Sequence, residues 1–187
     1  MAKLTYLNNV SLDGYMEDEA GAYGWLPMDD ELFAFYTDLL RSTGTFLYGR
    51  RLYESMALWE TEPALAAQSD LTADFASVWQ AASKVVYSTT LTSASTADTR
   101  IERRFDPDAV RELKAGADRD LTVGGADLAA QALDAGLVDE CLMFVWPITV
   151  GGGKPGMPTG KRVDLELLDE RRFRNGVVLL RYRVLGR

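Results

Sequence analysis

Apolar residues recur along this chain in two rhythms that take turns, the two-residue alternation of a strand and the three-to-four-residue stripe of a helix. Lys3 to Val10, with Leu4, Tyr6 and Val10 apolar, predicts a first strand, and a glycine-punctuated loop follows from Ser11 to Met28. Asp29 to Arg41 predicts a helix. Its first turn is acidic, as the helix dipole favours, and Leu32, Phe35 or Tyr36, and Leu39 share one face. A short buried strand, Thr45 to Tyr48, leads through Gly49 into a short helix, Arg51 to Met56. Beyond a loop containing Pro63, Leu71 to Ala82 predicts a helix with Phe75, Val78 and Trp79 on its core side.

The second half repeats the pattern. Lys84 to Ser88 predicts a strand, and Pro107 stands near the start of a helix ending around Lys114, where proline is tolerated. Leu121 to Val123 predicts a strand, Gly124-Gly125 a turn, and Gly136 the stop of the helix between them. Glu140 to Val150 predicts a long strand. Leu165 to Phe173 and Val177 to Leu185 pair as a hairpin across Asn175-Gly176, the strongest short turn signal in the chain. Mostly parallel βα units finishing in an antiparallel hairpin predict an α/β fold: a mixed, mostly parallel sheet with helices on both faces. The whole span, 1–187, reads as one domain, because a second core would leave each half small.

Composition narrows the chemistry more than the fold. A net charge of −8 and a pI near 4.6 argue against nucleic acid as partner, since phosphate backbones are met by clustered Lys and Arg. Cys141 is the single cysteine, so no intrachain disulfide forms. No signal-peptide core precedes the first strand, and the longest apolar run, Cys141 to Val150, is too short for a bilayer and is broken by Pro147. These features predict a cytoplasmic protein that binds no membrane. The chain has no histidine, which removes the Ser-His-Asp triad, the Cys-His pair, His-based zinc sites and the nucleobase-deaminase signature. What remains is chemistry carried by carboxylates, Tyr, Lys, Arg, backbone amides or a cofactor, and no metal site is expected. Hydride transfer suits such a chain, because the cofactor carries the reactive atom.

Two glycine turns are the leading candidates. Leu121 to Leu128 is a strand, a double glycine and a helix start, where free amides and the helix dipole favour an anion; it also reads as a plain tight turn. Tyr48 to Tyr53 repeats the theme with Arg50 and Arg51 at a helix start. Arginine is unfavourable there unless it meets a phosphate or simply faces solvent. Ser88-Thr89-Thr90 ends a strand with three hydroxyls that suit either a phosphate or a turn. Gly151 to Gly156 satisfies GxGxxG in letters only: Pro155 and Pro158 forbid the helix that the dinucleotide fingerprint needs, so it reads as a loop that could border an active site. Asp13, in a glycine-bearing loop, and Asp29, Asp30 and Glu31, at a helix start, are the candidate acids; the helix acids also read as caps.

Taken in order, Val10-Ser11-Leu12-Asp13-Gly14-Tyr15, Trp25-Leu26-Pro27, Gly49-Arg50-Arg51-Leu52-Tyr53-Glu54 and Lys84-Val85-Val86-Tyr87-Ser88 form a recognisable set. Val123-Gly124-Gly125-Ala126-Asp127-Leu128, Gly136-Leu137-Val138-Asp139-Glu140 and Gly176 to Tyr182 continue it. The chain resembles the dihydrofolate-reductase superfamily. More closely, it resembles stand-alone relatives of the C-terminal reductase domain of the riboflavin-pathway bifunctional deaminase-reductase; the deaminase half is absent.

The resemblance implies a three-layer dihydrofolate-reductase-like fold, a homodimer, and NADPH across the C-terminal strand ends, with NADH as the alternative. Gly49, Arg50, Arg51, Ser88 and Thr89 would face the adenosine phosphates. Gly124, Gly125, Ala126, Asp127 and Leu128 would face the pyrophosphate and nicotinamide. The superfamily commonly joins its glycine pair by a cis peptide, a bond that costs about 3–4 kcal/mol outside proline. The loop from Ser11 to Trp25 would close over the nicotinamide. Many relatives carry arginine where this chain has Thr89, which leaves Arg50 and Arg51 to read an extra phosphate. Asp29, two residues after Pro27, stands where folate reductases hold a pteridine, and Asp13 or Asp29 would position substrate or assist proton delivery. The implied activity is reduction of a small heterocyclic or ribosylamino substrate, of the 5-amino-6-(5-phosphoribosylamino)uracil kind. A dihydrofolate reductase, a non-catalytic dinucleotide-binding protein and a structural interaction protein are the alternatives.

Overall fold

The computed structural model describes residues 1–25 and 28–186. The elements run β1 (Leu4–Ser11), β2 (Tyr15–Glu17), α1 (Asp30–Leu40), β3 (Thr43–Gly49), α2 (Arg50–Thr61), α3 (Pro63–Ala66), α4 (Asp70–Gln80) and β4 (Ser83–Tyr87). They continue with β5 (Thr99–Glu102), α5 (Pro107–Gly116), β6 (Asp120–Gly124), α6 (Ala126–Asp134), β7 (Glu140–Trp146), β8 (Lys154–Pro155), β9 (Leu165–Arg172) and β10 (Val178–Val184).

Eight strands form one sheet in the order β5-β4-β3-β6-β1-β7-β10-β9, parallel from β5 to β7 and antiparallel through the closing hairpin. The mixed sheet read from the sequence is therefore the observed one. Alternation along the strands splits the core into layers. Phe46, Tyr48 and Val86 pack with Tyr53 and Ala57 of α2 and Phe75 and Trp79 of α4. Leu47 and Val85 point the other way, joining Leu4, Tyr6, Leu121 and Val123 beneath α5 and α6. A third cluster seats Leu32 of α1 against Phe144, Trp146, Phe173 and Leu179. Buried aromatic and aliphatic side chains of this kind stabilise by about 1.5–3 kcal/mol each.

This layering positions the site. The chain leaves β3 into α2 on one face and leaves β6, the next strand, into α6 on the other. Helices departing to opposite faces from neighbouring strands open a crevice at their carboxyl ends, where ligands of open α/β sheets bind.

Several details differ from the sequence reading or refine it. The strand from Glu140 stops at Trp146 rather than Val150, because Pro147 has no N–H for the ladder and the Ile148 amide turns back onto the Trp146 carbonyl (2.8 Å). α2 runs on to Thr61, since Met56, Ala57 and Trp59 keep the helical stripe on the core until the residue before Pro63. Edge strand β5 was hidden by its charged letters, Thr-Arg-Ile-Glu. The hairpin closes on a Phe173–Gly176 turn, with the Gly176 amide donating to the Phe173 carbonyl (3.1 Å). Gly176 has φ +87° and Asn175 is not left-handed, so the turn is followed by a glycine bulge and is not the mirror-image two-residue type.

Candidate functional site

Tyr48 of β3 lies beside Gly124 of β6, so the two strand ends deliver their glycine turns next to each other. Gly49 is the N-cap of α2 and Gly125 that of α6, and neither helix start has a side-chain cap. The other long helices are closed by their own side chains: Asp29 caps α1, Ser69 caps α4 and Asp106 caps α5. A helix begins with amides that lack an intrahelical partner, and their dipole attracts negative charge. Two such starts, without side-chain caps and at the ends of adjacent strands, are suited to a diphosphate.

The two glycines of the β6 turn are there for different reasons. A Cβ on Gly124 would stand 2.4 Å from Leu52 Cδ2 and 3.3 Å from the Tyr48 ring, so this glycine admits α2 against the strand. A Cβ on Gly125 would meet nothing within 4 Å, but its φ of +90° is one that L-residues avoid. The peptide between them is trans, where the resemblance implied cis; the positive φ of Gly125 makes the reversal instead. A Cβ on Gly49 would also meet open space.

Around this pair the candidate residues divide. Arg50 is exposed and pairs along its helix with Glu54 (3.2 Å), while Arg51 reaches Glu17 of β2 (3.3 Å). Ala126 and Leu128 are buried in the core, so only their backbone can face a ligand. Asp127 points outward in the first turn of α6 and accepts from Lys154 Nζ (2.8 Å). On the far side of β3, the buried Ser88 hydroxyl accepts from the amides of Thr90 (3.2 Å) and Leu91 (2.9 Å), holding a turn. Thr89 is exposed.

Asp13 and Asp29 are engaged with backbone. Asp29 Oδ1 accepts from the Leu32 amide (2.9 Å), the capping alternative. Asp13 Oδ2 accepts from Gly151 N (2.8 Å), and both its oxygens lie 3.2 Å from Val150 N. The Ser11 hydroxyl first, then the Gly151 and Val150 amides, hold its carboxyl below the usual carboxylate range. Asp13 is therefore an anion at neutral pH, suited to accepting these amides. Trp25 Nε1 is buried without a hydrogen-bond partner among the described residues. The Leu26-Pro27 pair, on which the pteridine-acid register rests, lies outside the described residues.

Three residues were not anticipated. Arg103, just past β5, donates through Nη1 to the carbonyls of Ser88 (3.1 Å) and Leu91 (2.7 Å), placing a guanidinium against the turn where Thr89 stands. Glu17 and Lys154 belong to a two-stranded ribbon, β2 paired with β8, built from the loop after β1 and the glycine-rich loop after β7. That ribbon reaches both helix starts, through Glu17 to Arg51 and Lys154 to Asp127. The only sequence signal was the run Gly151-Gly152-Gly153, which marks a place where backbones approach closely.

The same architecture recurs in known proteins. A putative riboflavin biosynthesis protein from Shewanella sp. PV-4 superposes with a TM-score of 0.74 at 19% identity, covering all of both chains. A pyrimidine reductase-like protein from Corynebacterium diphtheriae gives 0.64 at 14% identity, covering 100% of this chain and 93% of that one. The deaminase/5-amino-6-(5-phosphoribosylamino)uracil reductase of Thermotoga maritima also gives 0.64 at 14%, over 98% of this chain and 57% of that one. The fold is thus the dihydrofolate-reductase-like arrangement. In sequence, the uncharacterized protein YyaP of Bacillus subtilis (strain 168) is 29% identical over 175 residues, 92% of this chain and 90% of that protein. Residues 2–179, nearly the whole sheet and both glycine turns, match the family model of the RibD C-terminal domain, and the chain belongs to that family.

Proposed function

We propose that this chain is an NADPH-dependent reductase domain acting on a small pyrimidine- or pteridine-like substrate. The observation that carries the reading is the pair of uncapped, glycine-opened helix starts at the ends of adjacent strands, in a protein whose other long helices supply their own caps. The residues present fit a dinucleotide: amides of α2 and α6 for the diphosphate, and Arg50, Arg51 and Arg103 around the turns that flank it. A reduced nicotinamide bound there would supply hydride to a C=N or C=O carbon, with a proton completing the adjacent nitrogen or oxygen. The chain's part is to orient, to exclude water and to hold the substrate. Asp29 commits one oxygen to α1; its second oxygen is the acceptor this reading assigns to a substrate N–H.

Membership of the RibD C-terminal domain family supports a reductase, and the name of the Thermotoga maritima relative makes 5-amino-6-(5-phosphoribosylamino)uracil the first substrate to screen. The proposal includes a cytoplasmic homodimer, which sedimentation of the purified chain would check. Among the described residues no helix is long and apolar enough to cross a membrane.

Titration with NADPH and NADH, followed by tryptophan fluorescence, tests the reading. Micromolar quenching by NADPH with much weaker quenching by NADH is expected. Arg50→Gln and Arg51→Gln should each weaken NADPH about tenfold and leave NADH nearly unchanged, since a charge-assisted contact to the extra phosphate is removed. Equal affinities in the wild type would keep the reductase and remove the phosphate-reading arginines. Binding of neither dinucleotide would sink the function and leave the fold.

A further inference from the structure

The loop after β1 and the loop after β7 are far apart in sequence and, among the described residues, are joined at four places. Leu12 N donates to the Ile148 carbonyl (2.7 Å), and Gly156 N donates to the Gly14 carbonyl (2.9 Å). Tyr15 and Glu17 pair with Pro155 and Lys154 as a ribbon. The fourth join is the Asp13 carboxylate on the Val150 and Gly151 amides, and it is the only one of the four made by a side chain. The ribbon has no slack. A Cβ on Gly153 would lie 2.1 Å from the Glu17 carbonyl oxygen and 2.7 Å from Asp18 Cα, so backbone meets backbone there.

We propose that Asp13 is a positioning residue of the candidate site: by accepting the Val150 and Gly151 amides it holds the ribbon where Lys154 and Glu17 pair with the first turns of α6 and α2. The consequence for binding rests on the dinucleotide reading above. Val150 and Gly151 lie in the stretch after Pro147 that is outside the sheet, so no strand partner takes their amides. Asp13 supplies the acceptor. Three residues further on, Lys154 reaches Asp127 at 2.8 Å, and across the ribbon Glu17 reaches Arg51 at 3.3 Å. Ribbon placement thus sets which cations stand at the two uncapped helix starts. Asp13 touches neither start itself; it acts through Lys154 and Glu17.

Hydrogen–deuterium exchange of the full chain tests the placement without any ligand. In Asp13→Ala, amides of residues 14–17 and 150–156 should exchange about tenfold faster, with β1, β6 and α6 unchanged. Asp13→Asn, which keeps an oxygen acceptor, should recover much of the protection. NADPH titration tests the consequence: Asp13→Ala and Lys154→Gln should each weaken binding about tenfold, and the double variant should be no weaker than the poorer single one. Unchanged ribbon exchange overturns the proposal. So does unchanged affinity in Asp13→Ala, or additive losses in the double variant, when the wild type binds. If the wild type binds no dinucleotide, the reductase reading fails and the exchange result alone decides the role of Asp13.

Discussion

Gly125→Ala should weaken NADPH binding by about one to two orders of magnitude and lower stability by about 1–3 kcal/mol, the cost of an unfavourable backbone region. The reason is conformational and not steric. Its Cβ would meet nothing, yet its φ is +90°, so an L-residue relieves the strain only by rotating the peptides that open α6. Those peptides carry the amides that the site presents. Gly124→Ala is the contrast. Its Cβ would lie 2.4 Å from Leu52 Cδ2, the far end of a flexible side chain, so the cost is one of overpacking. Leu52→Ala should therefore rescue Gly124→Ala and leave Gly125→Ala unrepaired. Urea unfolding and fluorescence titration of the three single variants and the two doubles separate the cases. Wild-type affinity in Gly125→Ala would mean that the α6 amides do not face the ligand.

The two glycines show what sequence makes legible. A strand, a glycine and a helix start announce free amides wherever they occur, because the pattern is local and its physics is backbone physics. The same holds for the Asn175-Gly176 hairpin and for the helices that carry an apolar stripe. What escaped was set by partners distant in the chain. Arg51 and Glu17 are 34 residues apart, Lys154 and Asp127 are 27 apart, and nothing local couples them. Strand β5 has half-exposed, charged letters because it lies at the edge, and an edge strand need not alternate cleanly. Asp13 and Asp29 were visible as carboxylates, but a carboxylate that caps amides and one that meets a substrate are spelled alike. The geometry gives each of them backbone amides to hold.

Glu140→Ala should cost about 2–3 kcal/mol at neutral pH, at or just below the lower edge of what breaking a buried ion pair costs. Glu140 begins β7 with its side chain only 7% exposed, between two cations. Oε1 accepts from Lys3 Nζ (2.6 Å), and Oε2 accepts from Arg181 Nε (2.8 Å) and lies 2.7 Å from Nη2. Removing the carboxylate strands both cations, but they are half-exposed, so water recovers part of the loss. The interaction also ties the residue that leads into β1 to β7 and β10. Burial alone would raise the pKa of this carboxyl, yet Lys3 and Arg181 outweigh it and hold the pKa below the usual range. A carboxyl depressed on folding stabilises fully above its unfolded pKa, about 4.3, and the contribution disappears as pH falls through the folded value. The stability gap between wild type and Glu140→Gln should therefore be widest near pH 7 and narrow as pH falls below about 4.3 and through the folded value. Urea midpoints at the two pH values measure it. A gap that persists in acid would assign the effect to packing of the side chain, not to its charge.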